Sequence, residues 1–297
     1  MDTDGVVGPC IRSYERWLAT GADPLHNLTH HLTSTTQETE AGIRRRMEAK
    51  WAEKGGTSDD VAKSVTNSLR RSAGTNYQSL VSYALAKEFI RRGSAWFVVH
   101  SVPPKFGNSL GIRFGPAPEL SNEVEQSRSV EDQEASVVVK PDLDILIRNA
   151  GWLDTSSDAE SALPEPVLLL SVKTSLADRA GAAARWKTYF DLVIKPCPNM
   201  DTEGCAYQQL GISLARDPNV TIVHGIITAN IYKINSDEYF QEYGELRSNQ
   251  ARSNTFMFDL RYTTRNESIE VMAPGWDPLT ELPLWLSEWS MLHSLPT

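Results

Sequence analysis

The sequence predicts an α/β fold with a central mixed sheet flanked by helices, in the order helix, strand, strand, strand, helix, strand. Three observations predict it. The segment from Thr75 to Arg92 has apolar residues at helical spacing and is followed by Gly93. Two apolar runs rich in branched residues, Val167 to Thr174 and Val220 to Ile231, are typical of buried strands. The Ala-rich segment between them, Ser175 to Lys195, is long enough to connect parallel strands as a crossover helix.

Residues 1–73 are predicted to form a helical N-terminal extension. Helical spacing and strong helix formers mark three segments: Arg12 to Thr20, Glu38 to Glu53 and Asp59 to Arg71. Ser58 or Asp59 is the expected cap of the third. After the helix that ends at Arg92, Ala95 to Ser101 is expected to be a short strand, because two prolines follow it.

The next segments continue the predicted sheet. Residues 103–135 are rich in Pro, Gly, Asn and acids, which predicts a long loop with a short strand near Ile112. Ser136 to Arg148 is predicted as one strand kinked at Pro141, and residues 149–165 as a polar connection. The C-terminal residues 232–297 are predicted as additions to a core of residues 75–231, within a single domain. Those additions are a helix at Asp237 to Leu246, strands at Thr255 to Tyr262 and Ser268 to Met272, and a Trp-rich stretch from Leu284 to Leu292.

The chain is acidic, with a net charge of −9, whereas proteins that bind nucleic acid are usually basic. Whole-chain charge does not fix the charge of one cleft, and arginines cluster at 44–46, 70–71 and 91–92. The three cysteines have no spacing typical of a zinc site or a disulfide framework, which favours reduced thiols. No signal peptide or membrane-spanning run is evident, so we expect a cytoplasmic protein without membrane contact.

Two charged residues suggest a chemistry. If the strand containing Asp142 and the strand ending near Lys173 are antiparallel neighbours, both side chains lie at one edge of the sheet. A carboxylate there can hold a divalent ion, which polarises a phosphate and lowers the pKa of a water. An ammonium group can orient that water or stabilise charge on phosphorus. The pattern therefore favours phosphodiester hydrolysis.

The motifs Pro141-Asp142, Ser171-Val172-Lys173 and Thr174 to Arg179 resemble the CCGG- and CCNGG-cutting branch of type II restriction endonucleases, in the PD-(D/E)XK superfamily. The resemblance implies a restriction-endonuclease-like αβββαβ core and a Mg²⁺ cofactor. It implies cleavage of double-stranded DNA at a palindrome by a homodimer or a tetramer. A cognate methyltransferase is expected in the same restriction-modification system.

Carried over by position, the resemblance also assigns roles at the active centre. Asp142 would be the metal-binding acid, Val172 would offer its backbone carbonyl to the metal, and Lys173 would be the catalytic lysine. Ser171 stands where the superfamily usually has an acid.

The resemblance also implies that the DNA-recognition residues follow the catalytic lysine. Asp178 and Arg179 would read C·G pairs, since Asp can accept from cytosine N4 and Arg can donate to guanine O6 and N7. Ala177 replaces the first basic residue of the recognition element, and Arg185 is a substitute for it.

The second metal ligand has three candidates. Trp186 and Lys187 occupy the place where relatives carry it, and Asp191 lies one turn further on. Gln78 and Glu88 on the helix before the first strand are the alternatives. Two other functions stay open: a repair or mobile-element nuclease that cuts by structure rather than by sequence, and a DNA-binding module that does not cleave.

Overall fold

A computed structural model describes the protein over residues 8–100, 104–114, 137–141, 143–151, 165–174, 185–186, 189–190, 212–214, 220–229, 256–258, 261–263, 270–272 and 279–292. These residues form a mixed α/β structure, in which helices pack on a mixed sheet. Within these ranges, no helix is both long enough and apolar enough to cross a membrane. The mixed sheet and the helices that pack on it confirm the predicted α/β class.

Four helices precede the first strand: α1 (Gly8–Leu18), α2 (Leu28–Ser34), α3 (Thr36–Glu53) and α4 (Ser58–Arg92). The prediction of a helical N-terminal extension is confirmed, although α2 was missed because its seven residues are too few to show a periodicity. Helices α3 and α4 form an antiparallel hairpin, in which the Trp51 indole donates a hydrogen bond to the Ser64 hydroxyl.

Helix α4 corrects three predictions. It is one helix of 35 residues rather than two, and Gly74 does not interrupt it. It therefore crosses the expected boundary between the extension and the core. Its cap is Thr57 rather than Ser58 or Asp59, because the Thr57 hydroxyl and the Asp60 carboxylate form a reciprocal capping box. The helix ends as predicted at Gly93, whose φ of 62° is left-handed backbone that glycine adopts without strain.

The main sheet contains β1 (Trp96–Val99), β4 (Ile145–Asn149), β5 (Glu165–Lys173), β7 (Val220–Thr228) and β8 (Phe256–Phe258), adjacent in that order. β1 and β5 are antiparallel to β4, whereas β7 is parallel to β5 and β8 is parallel to β7. The predicted antiparallel pair and the predicted parallel pairing of the two buried strands are confirmed. Of the crossover helix predicted at 175–195, the structure describes residues 185–186 and 189–190, which are helical.

A second sheet has the order β3 (Val137–Val139), β2 (Ile112–Phe114) and β6 (Ile212–Leu214). The prediction of one kinked strand over residues 136–148 is therefore wrong, since its two halves, β3 and β4, belong to different sheets. Pro141 lacks the N–H needed to continue a ladder, which separates them. The long loop predicted over 103–135 contains the short helix α5 (Pro104–Ser109) and, as expected near Ile112, the strand β2.

The C-terminal elements are β9 (Arg261–Thr263), β10 (Glu270–Met272), a short 3-10 helix (Leu279–Glu281) and α6 (Leu282–Leu292). The single strand predicted at 255–262 is divided between β8 and β9. The helix predicted at 237–246 lies outside the described residues. The Trp-rich stretch is α6, and its Trp289 stacks on Trp96 of β1 with ring centroids 5.4 Å apart.

Apolar side chains cover both faces of the main sheet. On one face, Ile145, Ile147, Leu168 and Leu170 pack under α1, α2, α4 and α6. On the other face, a smaller cluster packs beside Phe190: Leu110, Ile112, Leu146, Val167 and Leu169. Because successive strand residues alternate between faces, this division also fixes the direction of the polar side chains at the strand ends.

Candidate active site

A carboxylate and an ammonium group meet at one end of the two central strands. The Lys173 ammonium lies 2.9 Å from Asp144 Oδ2, and the same oxygen accepts a 2.7 Å hydrogen bond from the Val172 backbone N–H. The side chains of Lys173 and Asp144 are 6% and 16% exposed. The pair is therefore largely desolvated, and its attraction is screened far less than that of a surface ion pair.

The register of the strands explains why these two side chains meet. Ile145 of β4 lies opposite Leu170 of β5, so Asp144 enters the pair beside the last residues of β5. Leu146 and Leu169 face the cluster around Phe190. Alternation then places Asp144 and Lys173 on that same face. The apolar pattern of the strands thus brings two opposite charges together at the strand ends.

Gln78 fastens helix α4 to this end of the sheet. Its side-chain amide donates to the backbone carbonyl of Asp144 at 2.6 Å and to that of His100 at 3.4 Å. One turn further along α4, the Ser82 hydroxyl lies 2.9 Å from His100 Nδ1. The Gln78 contact holds the main chain of Asp144, so this residue positions the carboxylate without touching it.

A second polar pair lies on the neighbouring strands. Ser171 Oγ is 3.1 Å from His224 Nε2, and both residues are buried, with 1% of the surface of each exposed. The Phe190 ring lies 6.2 Å from the imidazole. The position that the sequence resemblance assigns to an acid thus holds a serine, whose hydroxyl lies within hydrogen-bond distance of a histidine on β7.

Several predicted site residues are outside the described part of the chain. They include the proposed metal acid and the proposed recognition residues: Asp142, Ala177, Asp178, Arg179 and Asp191. The described chain does contain Arg185, which is helical and exposed. Val172 lies in β5, and its backbone N–H donates a hydrogen bond to the Asp144 carboxylate.

Glu88 does not reach the site. Its carboxylate accepts hydrogen bonds from Arg91, at 2.7 Å, and from Arg92, and none of its side chain is exposed. It lies ten residues beyond Gln78 on α4, about 15 Å along the axis. Burial raises the pKa of Glu88, but the two arginine partners lower it more, so the pKa lies below its ordinary value. The structure therefore corrects the proposal that Glu88 serves as a metal ligand.

At the strand ends, the described residues offer a divalent ion one carboxylate, that of Asp144. Among the described residues, no three His, Cys, Asp or Glu side chains form a group that could hold a metal. Mg²⁺ nevertheless needs only one or two carboxylates, because it keeps several of its waters. Asp144 offers one carboxylate next to a lysine, and the sequence candidates for a second, Asp142 and Asp191, are outside the described residues.

Sequence reasoning missed Asp144 and His224. The first has a visible signal, because the Asp-Leu-Asp spacing of residues 142–144 puts two carboxylates on one side of an extended chain, directly before the apolar alternation. The second is the one imidazole within an otherwise apolar run, VTIVHGIIT. A lone polar residue in a buried strand needs a partner, and Ser171 is that partner.

No protein-family model and no curated protein sequence matches this chain. A functional proposal for this chain is therefore argued from the arrangement of its residues.

Proposed function

We propose that the chain is a Mg²⁺-dependent DNA endonuclease of the type II restriction class, with Asp144 and Lys173 at its active centre. The observation that carries the proposal is the 2.9 Å contact between the Lys173 ammonium and the Asp144 carboxylate at the ends of adjacent strands. A carboxylate for a divalent ion and an ammonium for a developing negative charge are the groups that phosphodiester hydrolysis needs.

The order of the elements supports a restriction-endonuclease-like core. Helix α4, strands β1, β4 and β5, the helical residues 185–186 and 189–190, and strand β7 follow the αβββαβ order that the sequence resemblance implies. The spatial order β1-β4-β5-β7 keeps the two charge-bearing strands at the centre of the sheet. Both active-site side chains are thereby held by strands with neighbours on each side.

In the proposed mechanism, Asp144 takes the metal-binding role that the sequence resemblance gives to Asp142. When bound, the ion supplies positive charge that polarises the phosphate and acidifies the attacking water. The Val172 N–H fixes the Asp144 carboxylate, and Gln78 fixes its main chain. The Lys173 ammonium orients the water and stabilises the charge that develops on the phosphate oxygens.

The proposed substrate is a short palindrome containing CCGG or CCNGG. A two-fold DNA site calls for a two-fold protein, so we propose a homodimer or tetramer in which each subunit cuts one strand. Asp178 and Arg179 are the proposed readers of the C·G pairs, and Arg185 is an additional exposed cation after them. A methyltransferase of the same specificity would protect the host DNA.

Plasmid digestion tests the proposal. Purified protein with Mg²⁺ should give discrete fragments whose ends map to one sequence. Asp144→Asn and Lys173→Met should each abolish cutting. The control is Glu38→Gln, which removes a carboxylate from an exposed ion pair with Arg12 far from the site, and it should cut like the wild type.

Other outcomes separate the alternatives. Cutting without a fixed banding pattern would identify a structure-specific nuclease, and binding without cutting in any divalent metal would identify a non-cleaving module. If Asp142→Asn abolishes cutting while Asp144→Asn does not, the assignment of the metal acid to Asp144 is overturned.

A further inference from the structure

One stretch of helix α4 is free of acidic residues. From Val61 to Lys87 there is no Asp or Glu, although the chain-wide frequency of 38 acidic residues in 297 would place about three in a segment of this length. The stretch includes Arg70 and Arg71. In a chain with a net charge of −9, such a segment is a local region of positive charge.

The arginines of this region lack acidic partners. Arg70 and Arg71 are exposed, and the helix positions three and four residues away from them are uncharged: Thr66, Asn67, Ser68, Ala73, Gly74 and Thr75. On α3, Arg45 and Arg46 are also exposed. Within the described residues none of the four arginines forms an ion pair, whereas their neighbour Arg44 pairs with Glu40.

The hairpin brings both arginine pairs to the same level. The hydrogen bond between Trp51 and Ser64 aligns the two antiparallel helices. From that bond, Arg45 lies six residues back along α3 and Arg70 six residues forward along α4, which is about 9 Å on each helix. We call Arg45, Arg46, Arg70 and Arg71 the arginine belt.

The belt lies beyond Gln78 toward the start of α4, the helix that packs on the face of the sheet opposite Asp144 and Lys173. Arg71 and Arg70 precede Gln78 by seven and eight residues, about 10–12 Å along the helix axis. Gln78 itself contacts the main chain of Asp144. Because one turn of B-DNA is about 34 Å long, a duplex whose axis runs from the site toward the start of α4 is long enough to reach the belt.

We infer that the arginine belt binds the phosphate backbone of the DNA beside the scissile phosphate. This inference rests on the proposed nuclease function and adds to it a surface outside the catalytic and base-reading residues. Guanidinium groups bind phosphate through paired N–H donors, and the segment from Val61 to Lys87 contains no carboxylate that would compete for Arg70 and Arg71. The remainder of the acidic surface would repel DNA, which leaves the belt to direct the duplex.

The experiment measures the salt dependence of binding. Duplex DNA containing the mapped site is titrated by fluorescence anisotropy in EDTA, so that nothing is cut. The test variant is Arg70→Gln with Arg71→Gln, which keeps good helix formers. The control variant is Lys54→Gln with Lys63→Gln, which removes the same charge near the tip of the hairpin, where both residues are exposed.

Loss of two phosphate contacts should reduce the magnitude of the slope of log K against log salt concentration by about 1.8. Between roughly 50 and 200 mM salt, the affinity of the test variant should therefore fall about tenfold less than that of the wild type. The control should keep the wild-type slope. Circular dichroism should show equal helix content in all three proteins, so that a lost slope is not a lost fold.

Four results would overturn the inference. The test variant could keep the wild-type slope while the wild type binds DNA and Asp144→Asn fails to cut. That result refutes the role of the belt and leaves the nuclease proposal standing. An equal loss in test and control variants indicates an effect of net charge only. A test variant that binds normally but dissociates into monomers in sedimentation shows that the belt is a subunit contact. If the wild type binds no DNA, the nuclease proposal fails as well.

Discussion

The buried pair Asp144–Lys173 should be strongly coupled in its contribution to stability. Lys173→Met removes the ammonium but keeps the 2.7 Å hydrogen bond that the Val172 N–H donates to the carboxylate. At 2.9 Å and an effective dielectric constant of about 20, the lost attraction is about 6 kcal/mol before desolvation is counted. Removing one partner of a buried pair costs about 3–5 kcal/mol. Because Asp144 is 16% exposed, we expect about 3 kcal/mol.

A double-mutant cycle measures the coupling directly. The free energy of unfolding in urea is compared for the wild type, Lys173→Met, Asp144→Asn and the double variant, without divalent metal. We expect the double variant to lose at least about 2 kcal/mol less than the sum of the single losses. The matched control is the exposed pair of Arg12 and Glu38, whose side chains are 48% and 60% exposed; its coupling should be about 0.5 kcal/mol.

A coupling at Asp144–Lys173 no larger than that of the exposed control would refute the reasoning. The two side chains would then not share a desolvated site, and the nuclease proposal would lose the geometry on which it depends. A large coupling without plasmid cleavage would instead leave the geometry intact and remove the catalytic assignment.

Three further predictions concern the helical layer. Glu88→Gln should lower the free energy of unfolding at pH 7 by about 1.5–3 kcal/mol, since charge-assisted hydrogen bonds are lost. Because the folded-state pKa of Glu88 lies below its ordinary value, this difference from the wild type should shrink as pH falls below about 4. Urea titration at each pH measures it. Burial, then the neighbouring His30, lowers the pKa of His31, so stability should decrease as pH falls below about 6.5, and His31→Gln should remove this dependence in thermal melts. Thr57→Ala should cost about 1 kcal/mol by urea unfolding, because α4 loses its cap.

Each of these has a result that would count against it. A Glu88→Gln difference that grows as the solution is acidified would reverse the assigned direction of the pKa shift. A wild-type and a His31→Gln protein with parallel pH profiles would show that His31 does not titrate differently on folding. An unchanged midpoint for Thr57→Ala would mean that the capping box contributes nothing measurable.

Local patterns were sufficient for the central strands. The runs that became β5 and β7 are mostly apolar and rich in branched residues, which is typical of strands buried on both faces. Their antiparallel and parallel pairings followed from the length of the connections. The end of α4 followed from Gly93, because a left-handed residue closes a helix with little strain.

Predictions based on longer segments were less accurate. Two helices were predicted, one ending at Arg71 and one beginning at Thr75, whereas α4 is continuous and packs against both α3 and the core. The valines 137–139 and the strand after Pro141 looked like one element, although they pair with different partners. Pairing of distant strands is a tertiary property that periodicity does not encode.

The sequence by itself determined the class of the fold, the two buried central strands and the position of Lys173 at the end of one of them, because these depend on hydrophobic periodicity and on the length of connections. Only the tertiary structure decided that Asp144 is the carboxylate beside Lys173, that Gln78 holds its main chain and that Ser171 bonds to His224. Those contacts join residues far apart in the chain, and the register between strands, which no local pattern specifies, decides which of them meet.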